Sequence, residues 1–290
     1  MTSARRFARS VKVRDPGTFS PAAVAFVERV VRPVTRLLFR PTMHGLENLP
    51  RDRPYLLVAN HSAGVGLAEL ASFASMWISH VGPDRRIAGF ALPLGFVVWP
   101  LSVMHRHAGT VPSTYEAARD ALAKGVPLLV FPGGDHESLK PVWQVHRVDF
   151  SGRVGFLRIA REAGIPIIPL GIRNGAWTAP ILVRGKWLAS LLVAPRILGV
   201  KRWGISLLGA VGAIAMALCL PWAWPWRILV IGLWLGSPLT FCPIIPATLH
   251  FRIGSPLKAE DLFSSEHDCD DDLAMALARV ERAVEAMVRR

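Results

Sequence analysis

An α/β fold, with a mixed and mostly parallel sheet flanked by helices, is predicted by three features of this chain. Helical patterns alternate with short apolar runs from residue 41 onward. Two of those runs end abruptly in polar, titratable groups: Tyr55-Leu-Leu-Val-Ala-Asn-His-Ser62, and Val126–Phe131 followed by Pro132-Gly133-Gly134-Asp135-His136-Glu137. A third stretch, residues 203–249, is almost free of charge and interrupts the pattern. The alternation points to a sheet covered by helices. Polar strand ends point to a site at the sheet's carboxyl rim, and the apolar stretch to a hydrophobic, membrane-associated excursion.

Residues 1–40 form a basic segment ending in a helix over Pro21–Phe39. Val27, Val30, Val31, Val34, Leu37 and Leu38 recur at three- and four-residue spacing, while Arg29, Arg32, Arg36 and Arg40 share another face. Such a helix can lie in a headgroup layer or pack on its own core, and Pro33 should kink it. Ahead of it stand Arg5, Arg6, Arg9, Lys12 and Arg14 with no apolar run before Asp15-Pro16, so no secretory signal is expected.

The α/β domain is expected over 41–202 plus 250–290. Met43–Ala59 reads as two short strands around the Leu49–Asp52 turn, Leu67–Ser79 as a helix and Arg86–Phe90 as a strand. Ser113–Lys124 is an amphipathic helix with Ser113 as N-cap, Glu116 three residues on and Gly125 past its end. Val126–Phe131 is a buried strand, Ser151–Ala163 a helix closed by Gly164, and Ile165–Ile172 a further strand. Asp270–Arg290 is a helix with acids first and arginines last, in line with its macrodipole.

Within the excursion, Pro221, Pro225, Pro238, Pro243 and Pro246 break an uncharged run, and Trp222, Trp224 and Trp226 cluster at its middle. Tryptophan favours the membrane interface. A bent hairpin dipping into the bilayer is expected ahead of two full spans or a buried core. Arg196, Lys201 and Arg202 before it and Arg252 after it would keep both ends on the cytoplasmic face.

Lys and Arg number 34 against 21 acids, a net charge of +13, in a chain that is 51% hydrophobic. Basicity with apolarity favours an anionic membrane surface. Nucleic acid is disfavoured, because the ten tryptophans sit mostly in apolar stretches instead of alternating with basic residues on polar strands. Cys219, Cys242 and Cys269 lack metal or disulfide spacing, which fits a reducing cytoplasm.

The candidate site gathers His61, Glu69, Asp135, His136 and Glu137. A carboxylate beside a histidine orients the ring and stabilises its charged form, the usual route to a base at neutral pH. Metal readings fail on spacing: His136-Glu137 begins H-E-x-x-H but Lys140 closes it, and His105-Arg106-His107 has no third ligand nearby. Asn60-His61-Ser62-Ala63-Gly64 lacks the first glycine of a hydrolase elbow, and no phosphate loop is present. General-base chemistry near a membrane survives.

Asn60-His61-Ser62, Phe131-Pro132-Gly133-Gly134 and Gly164-Ile165-Pro166-Ile167-Ile168-Pro169 occur in that order. So do Gly45–Pro50 and Gly109–Pro112. Over residues 40–175 the chain resembles the PlsC-type glycerolipid acyltransferases, and its Phe-Pro-Gly-Gly form with Glu137 is most similar to the diacylglycerol-acyltransferase-like branch. The resemblance implies a membrane enzyme of lipid and phospholipid biosynthesis. It would move an acyl group from acyl-CoA or acyl carrier protein to a glycerolipid or lysophospholipid hydroxyl. His61 would be the base, with no covalent intermediate, no metal and no cofactor beyond the acyl donor as co-substrate. Amides of Gly133 and Gly134 would hold an oxyanion or phosphate. Asn60, Ser62, Asp135, Glu137, Arg147 and Arg153 would make further substrate contacts.

Three departures stand out. Gly66 occupies the position, five after His61, where the family has Asp. Glu69 is the first choice to replace it, ahead of Glu137 or Asp135. Gly133 replaces the glutamate of Phe-Pro-Glu-Gly, and Arg106 lies upstream of where an arginine is expected. With no orienting carboxylate, the chain would be a non-catalytic lipid-binding relative. Acyl acceptor and oligomeric state are left open.

Overall fold

Leu56, Leu57, Val58 and Ala59 are all fully buried, because each side of this short strand meets a different helical layer. In strands, successive side chains point to opposite faces. Leu56 and Val58 join one core with Leu128, Val130 and Ile167, while Leu57 and Ala59 join the other with Leu129, Ile168 and Leu170. The computed structural model describes residues 13–192, 194–197, 200–263 and 270–289. Arg5, Arg6, Arg9, Lys12, Cys269 and Arg290 lie outside the described residues.

Seven strands form the main sheet: β1 (Thr42–His44), β2 (Leu56–Ala59), β3 (Ala88–Ala91), β4 (Val111–Pro112), β5 (Leu128–Val130), β6 (Ile167–Arg173) and, after the excursion, β9 (His250–Ile253). Their order is β1-β9-β6-β2-β5-β3-β4. Every pairing is parallel except β6 with β9, so the sheet is mixed and mostly parallel. Leu56 to Val58 lie opposite both Leu128 to Val130 and Ile167 to Pro169, which brings the carboxyl ends of β2, β5 and β6 to one rim. β7 (Ile181–Gly185) and β8 (Trp203–Ser206) form a separate antiparallel pair. β1 and β2, which flank the Leu49–Asp52 turn, are not neighbours: β9 and β6 lie between them.

Helix α1 covers residues 21–38 and contains a π-helical turn at Val27–Val31, ahead of the α-helical segment Arg32–Leu38. Pro33 has no N–H and its ring crowds the carbonyl four residues back, so a widened turn before it relieves the conflict that a sharp kink would otherwise absorb. Helix α2 (Leu67–His80) covers one sheet face through Ala68, Phe73, Met76 and Trp77. The other face is covered by α3 (Tyr115–Ala123), α5 (Gly155–Ala163) and, at the end of the chain, α8 (Asp270–Arg289), with short α4 (Gly134–Ser138) at the rim.

Two helix starts differ from the sequence expectation. The α3 cap is Thr114, whose hydroxyl accepts the Ala117 N–H at 3.2 Å, and not Ser113. Helix α5 begins at Gly155, since Ser151 and Gly152 both have left-handed φ values (58° and 69°) that no helix can contain.

The apolar excursion contributes β8 and then two helices, α6 (Leu207–Cys219) and α7 (Trp224–Leu235), packed together as a hairpin. Arg227 folds back to donate to the carbonyls of Trp222 and Ala217 at 2.7 and 3.1 Å, closing the turn. Trp234 Nε1 donates to Gly209 O at 3.0 Å, tying the two helices together. At 13 and 12 residues they are short against the ~20 that a span requires. Among the described residues no helix is long and apolar enough to cross a membrane.

Candidate active site

Past Ala59 the chain leaves β2 through Asn60, which is buried and clamps β6: its Nδ2 donates to Ile172 O at 2.8 Å and its Oδ1 accepts from Ile172 N at 2.7 Å. These bonds occupy both ends of the amide. Asn60 therefore fixes where His61 sits.

Next, Ala63, Gly64 and Gly66 adopt left-handed conformations that curl the chain into α2. The first turn of that helix then lies beneath His61. His61 Nδ1–H donates to Glu69 Oε2 at 2.8 Å, and Glu69 is fully buried. The same carboxylate accepts the Ser62 N–H at 3.2 Å and the Ser62 hydroxyl, so Ser62 also serves the carboxylate. These donors compensate a buried acid that would otherwise be costly. Among the described residues His61 Nε2 makes no hydrogen bond, and the imidazole is 14% exposed. The Phe131 ring lies 4.8 Å from it.

Gly66 explains why the acid stands further along. A Cβ there would fall 2.1 Å from His61 Cε1, and φ is +66°. The imidazole lies directly over this position, and a carboxylate reaches Nδ1 from one helical turn on.

Helix α4 supplies the second wall. Glu137 is fully buried, accepts the His61 backbone N–H at 3.3 Å and pairs with buried Lys140 at 3.3 Å. Lys140 also donates to Arg147 O at 2.5 Å. Burial raises the Glu137 pKa to about 7, against the opposing pull of Lys140. With no exposed surface, Glu137 holds the backbone of His61. A Cβ at Gly133 would lie 2.5 Å from Glu137 Cβ and 2.7 Å from its Oε2. The Glu137 carboxylate thus fills the space that a glutamate at 133 would enter.

Of the two glycine amides, Gly134 N–H is donated to Phe131 O at 3.2 Å, whereas Gly133 N–H donates to nothing among the described residues. Arg153 clamps this turn through Pro132 O, Gly133 O and, at 2.5 Å, Asp135 Oδ1. Arg202, expected beside the membrane, lies 3.7 Å from Asp135 Oδ2. His136 Nε2 pairs with Asp149 at 3.0 Å while its carbonyl accepts from Arg184. Burial lowers the His136 pKa most, and Arg184 and Arg202 lower it further against the opposing Asp149. The Arg147 side chain is exposed and makes no ion pair among the described residues.

His61 and Glu69 come together directly, Ser62 and Glu137 adjoin them, and Gly133 lies against Glu137; Asp135 and Arg153 brace the turn. Sequence reasoning missed Lys140, seen only as the residue that spoils a metal motif, and Arg184, which a separate strand carries to His136. Among the described residues no three His, Cys, Asp or Glu side chains come together as metal ligands.

The acyltransferase family model matches residues 40–173. An uncharacterized protein of Mycobacterium tuberculosis is 30% identical over 174 residues, which are 59% of this chain and 48% of that protein. A Gallus gallus protein named as a DGAT1/2-independent enzyme synthesizing storage lipids is 33% identical over 138 residues, 46% of this chain and 38% of its own length. The chain thus matches about half or less of the length of these curated relatives. The crystal structure of the 1-acyl-sn-glycerophosphate (LPA) acyltransferase PlsC from Thermotoga maritima aligns with a TM-score of 0.47 and 18% identity, over 98% of this chain and 86% of that one.

Proposed function

Residues 40–173 are an acyltransferase-family domain, and from that premise we propose that the protein moves an acyl group from acyl-CoA or acyl carrier protein to a hydroxyl of a glycerolipid or lysophospholipid. The observation that carries the chemistry is the His61–Glu69 contact at 2.8 Å. With Nδ1–H held by a buried carboxylate, Nε2 is the ring atom left to take a proton. As the acceptor hydroxyl attacks the thioester carbonyl, its proton passes to Nε2, and Glu69 stabilises the imidazolium that results. The C–O bond forms, the C–S bond breaks, and the leaving thiolate recovers the proton. Gly133 N–H is the amide available to the developing oxyanion. Arg153, whose fork already holds the Pro132–Asp135 turn, shapes that loop.

Attachment to the cytoplasmic face of a membrane is part of the same reading. Leu218, Trp224, Trp226 and Leu233 of the hairpin are each more than 60% exposed. Lipid would cover these side chains and present acyl substrates where they reside.

The test is incubation of the purified protein with labelled acyl-CoA or acyl carrier protein and a panel of lysophospholipids, monoacylglycerols and diacylglycerols. The expected result is a labelled ester with at least one acceptor, abolished by His61→Ala in a protein that retains its fold. Absence of turnover with every donor and acceptor, alongside retained lipid binding, would establish the non-catalytic alternative.

A further inference from the structure

A cavity of about 350 Å³ opens between α1, β1 and α2, and none of the residues placed in the acyl-transfer site lines it. That is far more than the ~30 Å³ share of one water. Its walls carry Arg32 and Arg36 from α1, His44 from β1, and Ser75, Ser79 and His80 from α2. Neither aspartate nor glutamate lines it among the described residues, and neither arginine makes an ion pair there. Arg32 Nε is buried and donates to nothing among the described residues. A buried guanidinium N–H without an acceptor is unfavourable, and two neighbouring guanidiniums repel, unless an anion completes the group.

Three of the polar groups alongside are already engaged. Ser79 donates to Ser75 O at 2.7 Å, His80 Nδ1 faces Met76 O at 3.1 Å, and Thr42 is bonded to His250 at 2.9 Å. Guanidinium N–H groups are therefore the main surplus, which suits a ligand with several anionic oxygens. The His250 ring bonded to Thr42 has its pKa lowered by burial first, then by Arg252, Arg173 and His44.

We propose that this cavity binds the phosphate of an anionic phospholipid headgroup. The lipid, as opposed to a free phosphate, follows from the helix that forms its wall. Helix α1 also exposes Phe26 (58%), Val30, Val34 and Leu37 (77%). Apolar side chains bared on an arginine-bearing helix are what a headgroup layer receives, and a soluble phosphate has no use for them. The site is independent of His61 chemistry, and its occupancy is read without turnover.

The experiment is co-sedimentation of the full chain with phosphatidylcholine vesicles, with and without phosphatidate, beside calorimetric titration with glycerol 3-phosphate. Wild type should prefer the phosphatidate vesicles. Arg32→Gln with Arg36→Gln should lose about 10²-fold of that affinity, from charge-assisted bonds at two guanidiniums. The comparison pair Arg29→Gln with Arg40→Gln, on the same stretch but outside the cavity, should lose about tenfold less. Because Arg36 is exposed, Arg36→Gln alone leaves the fold intact and should still cost about tenfold. Equal losses from the two pairs would reduce the effect to general surface charge and overturn the proposal. Glycerol 3-phosphate binding as tightly as phosphatidate vesicles would overturn the lipid assignment. Phosphatidate preference without acyl transfer would leave this site standing and remove the proposed reaction; turnover without the preference would do the reverse.

Discussion

The strands beneath His61 and the hairpin of α6 and α7 draw on the same aliphatic residues and treat them oppositely. Leu56, Leu57, Val58 and Leu128 are completely buried, whereas Leu218 is 78% exposed and Leu233 62%. The sheet has helices on both faces: α2 on one, α3, α5 and α8 on the other. The hairpin packs chiefly on itself, and among the described residues nothing covers its outer side chains. Hydropathy counts apolar groups, but long-range packing decides which of them leave water. In the sheet that packing also makes the site rigid, since Glu69 and Glu137 can remain buried beside His61 only where their hydrogen-bond donors are fixed.

The comparison can be broken first at the site. His61→Ala should lower acyl transfer by ~10²–10⁴-fold, and Glu69→Gln should fall within that range, because an amide no longer holds the ring tautomer or balances its charge. Gly66→Asp in the Glu69→Gln background should restore nothing, since the new Cβ would meet the imidazole. Recovery of the initial rate by that double variant would show that the ring is free to move. Leu57→Ala comes next, with an expected loss of ~2–5 kcal/mol in urea unfolding for a side chain enclosed on all sides.

A smaller effect concerns pH. The Glu137 pKa rises from 4.5 to about 7 in the folded protein, so between these values the native state holds a proton that the unfolded state has released. Stability from this group is fully present below pH 4.5 and is lost as pH rises through about 7. Glu137→Gln should flatten that slope in unfolding curves recorded across the interval. An unchanged slope would place the titration elsewhere. The smallest stability effect is expected at the hairpin, where Leu218→Ser should change unfolding free energy by no more than ~0.5 kcal/mol. It should weaken vesicle binding nonetheless. A loss as large as that of Leu57→Ala would mean the hairpin face is covered by protein.

Much of this was legible in local sequence. Apolar runs ending in Asn60-His61-Ser62 and Phe131-Pro132-Gly133-Gly134 announce strands that finish at a rim, because a strand buried on both faces cannot carry such groups. The choice of Glu69 followed from the family resemblance: Gly66 stands where the family has Asp, and Glu69 is the nearest acid downstream. What escaped was of two kinds: the long-range contacts of Arg184 with His136 and of Asn60 with Ile172, and the local fold-back of Lys140 onto Glu137 and Arg147. Neither long-range pair leaves a periodic trace, since each depends on how separate elements dock.

The order of apolar and polar residues by itself determined the alternation of helix and strand, the position of His61 at a strand end and the location of the uncharged stretch. These are local consequences of periodicity and of where a buried backbone can turn. Only the tertiary structure decided which carboxylate serves which atom. Glu69 faces the ring because left-handed turns at Ala63, Gly64 and Gly66 bring the first turn of α2 beneath it. Glu137 faces the backbone because β2 and β5 pair in parallel register and set α4 beside the His61 turn. A hydrogen bond is decided by tenths of an ångström, and such distances exist only once the sheet has assembled.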